Sequence, residues 1–399
     1  MKAKRLALSV LIVFALFGCA THASSGDPPP GGLNLYDFDR ARVVSEADQF
    51  MQQQPITITA FPTTRSAGGL HDYYSQADYS WPNPKDPNGP YINHDGLSNP
   101  DNFIAHRHAL MQLSIQESAL VAAYVVTGDE KYAHHAVDHL RAWFVNPDTR
   151  MNPSLPYAQA ITGLNTGRSI GIIDTLHLCE VAQSIIVLRK HSMIDPADDK
   201  PINQWFVDYL TWLTTQPNGQ KEGSEKNNHA TCYWLQVASF ARVTGNDAIL
   251  DECRKRYEEQ LLPQMAPDGS FPQELRRTKS YGYSLFNLDQ MTMLCDVLST
   301  PEHNMWAFTL EGGQNIHKGL EFLYPFVVDK SQWLKRPGVK PDVMYWDNWP
   351  VRTQTWLVAG IALNEPKYIE LWKSLKPDYS VEEIARNVPI RQPVLWVQE

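Results

Sequence analysis

The chain lacks the groups that most often hold metal. Five cysteines are scattered over 399 residues with no C-x-x-C pair, which excludes a thiolate zinc site. His134, His135 and His139 include an i, i+4 pair, but no His-Glu-x-x-His accompanies it. No run of clustered Asp and Asn builds a calcium loop. Neither a metal nor another cofactor is expected. Basic residues are not in excess either: 35 Lys and Arg against 44 Asp and Glu give a net charge of −9. Nucleic acid is therefore not an expected partner, because its binders carry a basic face. A polyanionic ligand would have to be held by local cations. The apolar run 6–17 behind Lys2, Lys4 and Arg5 is too short for a bilayer span and has the build of a secretory signal.

That signal predicts an exported protein with no transmembrane span in its mature form. Two cleavage readings stand side by side. Leu16-Phe17-Gly18-Cys19 resembles a lipoprotein box that would put a lipid anchor on Cys19, whereas Thr21-His22-Ala23 offers an ordinary small-residue site. The destination is then the periplasm, the outer membrane as a lipoprotein, or the medium. Residues 1–23 are assigned to the signal, 24–35 to a flexible Ser-, Gly- and Pro-rich lead-in, and 36–399 to one domain. Export permits disulfides among Cys179, Cys232, Cys253 and Cys295, with three pairings open.

What is present is mostly helical. Residues 37–53, 109–126, 169–190, 202–214, 285–298, 313–328 and 352–362 carry helical periodicity, and a further helix runs from Ala230 to a stop at Thr244-Gly245. The turns Thr127-Gly128-Asp129-Glu130, Thr244-Gly245-Asn246-Asp247 and Leu363-Asn364-Glu365-Pro366 repeat one grammar, a long helix stopped at Gly or Asn and a second one capped after it. Few strands intervene. The expected fold is all-α, an (α/α) toroid of helical hairpins whose long loops line a central cleft. Residues 56–102, rich in Gly, Pro, Asn, Asp and aromatics, form the longest of these loops.

Two stretches bring chemistry. In Asn227-Asn228-His229 an amide and an imidazole stand where a helix begins, with Asn227 or Asn228 as N-cap, and the start of a helix favours an anion. In residues 267–287 a Gly and Pro turn leads through Gln273, Glu274, Arg276, Arg277 and Lys279 to Tyr281 and Tyr283. An amide, a His, an Arg and a Tyr are the parts needed to eliminate across a uronic acid. The C5 proton of a uronate is too weakly acidic until its carboxylate is neutralised, which Asn and His donors with an Arg can do. A Tyr whose pKa of about 10 is pulled down by a nearby Arg⁺ can then carry the proton. His71, Tyr74, Trp81, His106, Arg107, Arg168, Gln273, Lys279 and Trp346 are the candidates for holding a sugar chain. Arg168 is among them because a cation at a helix start opposes the helix dipole.

Residues 66–74 (Ser-Ala-Gly-Gly-Leu-His-Asp-Tyr-Tyr), 79–84 (Tyr-Ser-Trp-Pro-Asn-Pro), 99–103 (Asn-Pro-Asp-Asn-Phe), Asn227-Asn228-His229 and 274–284 together resemble the alginate lyase superfamily of (α/α) toroid enzymes, most closely polysaccharide lyase family 38. The resemblance implies a catalytic set of Asn228, His229, Arg277 and Tyr283. Arg277, not Arg276, stands where the Glu-Leu-x-Arg pattern places the arginine, and Tyr281-Gly282 departs from the bulkier pair that relatives carry. It implies β-elimination of a β-1,4-linked polyuronate, with the mannuronate blocks of alginate as the leading substrate and glucuronan, which differs only at C2, as the alternative. For mannuronate the C5 proton and the leaving oxygen lie on one side, so one Tyr can serve as base and then acid. Guluronate, the C5 epimer, needs His229 as base and Tyr283 as acid. Two rivals remain: a non-catalytic polyuronate-binding surface protein, and a hydrolase using a carboxylate pair such as Asp268 and Glu274.

Overall fold

The computed structural model describes residues 32–397. The signal, Cys19 and most of the lead-in lie outside the described residues. Asn34 accepts the backbone N–H of Asp37 and starts α1 (Leu35–Phe50). α2 (Ala105–Thr127) stops at Gly128, whose φ of +72° a residue without Cβ adopts freely, and Asp129 caps α3 (Glu130–Leu140). The helix expected over 169–190 is two pieces: a 3-10 turn Ser169–Thr175, then α4 (Leu178–Lys190), bent by 43°. α5 (Pro196–Thr215) starts earlier than its periodicity indicated, because Asp195 caps it and Pro196 opens it. α6 (Pro217–Gly223) leads to α7 (Asn228–Thr244), which ends at Gly245, and Asn246 caps α8 (Asp247–Arg256). After the single turn α9 (Pro272–Leu275) come α10 (Ser280–Leu298), α11 (Ile316–Val328), α12 (Thr355–Ala362), α13 (Pro366–Ser374) and α14 (Glu382–Asn387).

Helices α2, α4, α7, α10 and α12 touch one another in that order, while α1, α3, α5, α8, α11 and α13 back them from outside. This is the (α/α) toroid, inner helices ringed by outer ones. The inner helices are buried nearly all round, polar side chains among them. In α10 every residue from Ser284 to Cys295 is buried. α2 is long and apolar enough to cross a membrane by composition, yet most of it is enclosed in this core. One hydrophobic cluster runs from Leu33 to Trp396. Cys179, Cys232, Cys253 and Cys295 are all buried free thiols, and none of the three pairings is formed.

Among the described residues, strand is confined to two short pairs in the loops. β1 (Tyr74–Gln76) runs parallel to β4 (Tyr157–Ala160), and β2 (Ser80–Trp81) antiparallel to β3 (Ile92–Asn93). Asn99 and Asn102 complete the order of this region by donating to the carbonyls of Ser80 and Ala77, at 2.9 and 2.7 Å. The 3-10 turn Pro393–Leu395 lies against α1, α2 and α4, and Glu180 of α4 accepts the N–H groups of Arg391 and Gln392 at 2.7 Å each.

Candidate active site

A cleft of about 400 Å³ opens among these loops, lined by Asn228, His229, Arg277 and Tyr283 together with Tyr79, Asp95, Arg168 and Arg386. The residues expected as a catalytic set, drawn from two distant stretches of chain, thus share one wall. Asn227 is the N-cap of α7, accepting the His229 N–H at 3.1 Å, so Asn228 and His229 occupy its first turn. Tyr283 stands in the first turn of α10, a helix that begins five residues earlier than its apolar stripe suggests. Tyr283 is therefore on a helix and not in the loop before it.

Each side chain has a partner that sets its direction. Glu222, almost fully buried on α6, accepts from His229 Nδ1 at 2.7 Å, leaving Nε2 as the ring nitrogen for a ligand. Burial disfavours the imidazolium and the Arg277 charge opposes it, but the Glu222 carboxylate, with help from Glu274, raises the His229 pKa above its ordinary value. Glu274 accepts the Asn228 backbone N–H on one oxygen and its Nδ2 on the other, both at 2.8 Å. Arg277 is gripped by Asp95, Nη2 to Oδ1 at 2.6 Å, and the Asp95 carboxyl stays below its usual range despite burial because of that bond.

Arg277 and Tyr79 meet at the Tyr283 hydroxyl. Arg277 Nη2 donates to it at 2.9 Å and the Tyr79 hydroxyl lies 2.7 Å away, while the guanidinium also covers the Tyr283 ring at 3.9 Å. Arg277 acts on the phenol in the expected direction. Burial and Tyr79 outweigh it, so the Tyr283 pKa sits well above its ordinary value, a correction to the expectation that Arg277 alone brings it down.

The matching family model is that of the alginate lyases, and it covers residues 57–333. The chain belongs to the alginate lyase family. Among solved structures the lyase is similar to an alginate lyase from Bacteroides ovatus, at 30% identity and TM-score 0.76 over 90% of this chain and 94% of that one. It shares its fold with alginate lyase A1-III from Sphingomonas species A1, at 16% identity and TM-score 0.53 over 90% and 95%. A variant of A1-III complexed with a tetrasaccharide aligns with TM-score 0.55 at 15% identity. No curated protein sequence matches the chain. The protein is a polysaccharide lyase, and its fold is the one expected.

Of the nine residues expected to hold a sugar chain, Arg168 alone lines the cleft. Its Nε and Nη2 donate to Gln159 at 3.0 and 3.1 Å, and among the described residues it has no carboxylate within ion-pair distance. His106 is corrected to a structural role: Nδ1 accepts from the Tyr74 backbone at 3.0 Å and Nε2 donates to the Phe61 carbonyl at 2.9 Å, which spends both ring nitrogens. Arg107 is fully buried behind the cleft wall, paired with Asp78 and Asp174. Tyr74 is buried against Phe103. Lys279 is buried in an ion pair with Glu383. His71 bonds the Arg150 carbonyl and Trp81 that of Leu97. Gln273 is exposed beside Arg276, and Trp346 packs on Tyr281. Neither Asp268 nor Glu274 lines the cleft, and both oxygens of Glu274 are committed to Asn228.

Four contributors went unnamed in the sequence: Tyr79, Asp95, Glu222 and Arg386. Tyr79 opens the Tyr-Ser-Trp motif, in which the larger Trp81 drew attention. Glu222, Asp95 and Arg386 resemble ordinary surface charges until the fold delivers their partners.

Proposed function

We propose that the lyase cleaves β-1,4-linked polymannuronate, the mannuronate blocks of alginate, by β-elimination. The observation that carries this reading is the setting of the Tyr283 oxygen, to which Arg277 Nη2 donates at 2.9 Å and beside which the Tyr79 hydroxyl lies at 2.7 Å. A Tyr283 phenolate would accept from both. In this scheme His229⁺ and Asn228 neutralise the substrate carboxylate, and the Tyr283 phenolate takes the C5 proton. The electron pair forms the C4–C5 double bond as C4–O4 breaks, and Tyr283 returns the proton to O4. No water is consumed, and the products are an unsaturated uronate end and a free 4-hydroxyl. Tyr283 recovers its starting form.

Arg168, with no carboxylate partner of its own among the described residues, binds the carboxylate of a neighbouring uronate in this reading. Family 38 motifs support the same assignment. Glucuronan fits the same scheme, because only C2 differs. The Glu222–His229 pair favours a second reading, in which Glu222 orients His229 as the base for guluronate. Polymannuronate, polyguluronate and glucuronan separate these by the ultraviolet absorbance of the unsaturated end. A faster rise with polymannuronate supports the proposal, a faster rise with polyguluronate supports the second reading, and reducing ends without absorbance would contradict both. The same proposal includes export, with residues 1–23 removed or Cys19 lipidated and 36–399 left as the catalytic domain. Mass of the mature chain from a membrane and a soluble fraction tests that part.

A further inference from the structure

Arg386 stands on α14, beyond the residues the family model matches, yet it reaches the cleft wall. A guanidinium beside a polyanion site would ordinarily be assigned to the ligand. Here both terminal nitrogens are already committed: Nη1 to Asp78 and Nη2 to Glu383, the latter at 3.0 Å. Arg107 holds both oxygens of Asp78, Nη1 to the same Oδ2 that Arg386 holds, at 3.0 Å, and Nη2 to Oδ1 at 2.5 Å, and Arg107 is itself braced by Asp174 at 3.7 Å. Asp78 and Tyr79 are the two turn residues between β1 and β2. The next side chain after the doubly held carboxylate is therefore the one whose hydroxyl meets Tyr283 at 2.7 Å.

We propose that Arg386 is a positioning residue for the elimination: by holding Asp78 against Arg107 it fixes the Asp78-Tyr79 turn and so the Tyr79 hydroxyl on Tyr283. The backbone ties this turn by three bonds, Ser80 N–H to the Ala77 carbonyl at 3.0 Å, His94 N–H to the Tyr79 carbonyl at 2.9 Å and Asn99 N–H to the Asp78 carbonyl at 2.8 Å. None of them restrains the Asp78 carboxylate when an anionic sugar enters the cleft beside it. Two guanidiniums do. α14 is in turn anchored from the ring, since His177 Nε2 of the segment before α4 donates to the Arg386 carbonyl at 3.0 Å.

The inference rests on the reading of Tyr283 as proton carrier, and one kinetic cycle tests it. Wild type, R386Q, Y79F, the double variant and Y283F are compared on polymannuronate below the melting transition of each. R386Q should lower kcat on the order of 10- to 100-fold, the scale of a misplaced reacting group, with KM within about twofold of wild type. Y79F should lose a similar amount, and the double variant should be no slower than the slower single, because both remove one interaction. R386K, which keeps the charge but spans one carboxylate, should recover part of the loss. A raised KM with unchanged kcat, or losses that multiply in the double variant, would overturn the proposal. A Y283F variant that keeps most of its turnover would instead strike the Tyr283 reading itself.

Discussion

In the proposed elimination His229 and Tyr283 hold opposite charge states, and their pKa values are in the less convenient order. The elimination needs His229 with its proton and Tyr283 without, although the imidazole is the more acidic of the two. The active form is then a minority tautomer of the singly protonated pair, so the rate rises with pH through the His229 pKa, levels, and falls through that of Tyr283. The charged groups facing His229 are Glu222 of α6, Glu274 of α9 and Arg277 after it. Glu222→Gln removes the largest group holding the proton there, so the His229 pKa falls. The acid limb should move to lower pH and the plateau should drop about tenfold for each unit moved. A shifted limb with an unchanged plateau would mean that neutral His229 is the base. Arg168 gives a second prediction at this scale: Arg168→Ala should raise KM for polymer, by the ~1.5–3 kcal/mol of a charge-assisted hydrogen bond or about 10- to 150-fold, while kcat changes little.

The catalytic groups owe their placement to two helix starts and a loop. Asn227→Ala removes the cap of α7 and should cost about 1 kcal/mol in denaturant unfolding, together with part of kcat, because Asn228 and His229 ride on that first turn. Gly96 follows Asp95 with φ +80°, and a Cβ there would stand 2.4 Å from Thr278 Oγ1. Gly96→Ala should cost about 1–3 kcal/mol in strain and lower kcat by loosening the grip of Asp95 on Arg277; an unchanged rate would remove Asp95 from that role. Much of this was legible in the chain. Gly128, Gly245 and Asn364 announced the hairpin turns, and Asn227-Asn228-His229 announced a helix start. The helix boundary at Ser280 was not, since its first turn carries no apolar stripe, and the helix expected from 352 begins only at Thr355. Pairings across long separations were not legible either: Glu274 to Asn228, Tyr79 to Tyr283 and Arg386 to Asp78 depend on which loops the ring brings together, and no local period encodes that. His106 and Arg107 show the converse error, polar residues of a motif that serve its scaffold.

At the scale of the whole molecule, the last residues act as a clasp on the toroid. Ile384, Val388, Ile390, Val394, Leu395 and Trp396 are buried, and at ~1.5–3 kcal/mol for each fully buried apolar side chain they contribute on the order of 10 kcal/mol, comparable with the whole stability of an ordinary domain, about 5–15 kcal/mol. Their loss would also strand Glu180, whose pKa burial lifts to about 7 while Gln392 and Arg391 N–H groups pull it back. A chain ended at Ser380 should therefore fail to give a cooperative melt, and a truncated protein that melts like the full chain would refute the clasp. The ring, the clasp and the loops together hold the site of the proposed reaction, in which a single half-buried tyrosine removes the C5 proton and returns it to the leaving oxygen. The most direct test is Tyr283→Phe on polymannuronate, following unsaturated ends by absorbance and polymer binding by calorimetry. The account predicts turnover lower by roughly 10²-fold or more with binding near that of wild type, because one hydroxyl and little contact area are removed. A variant that keeps most of its turnover would contradict it.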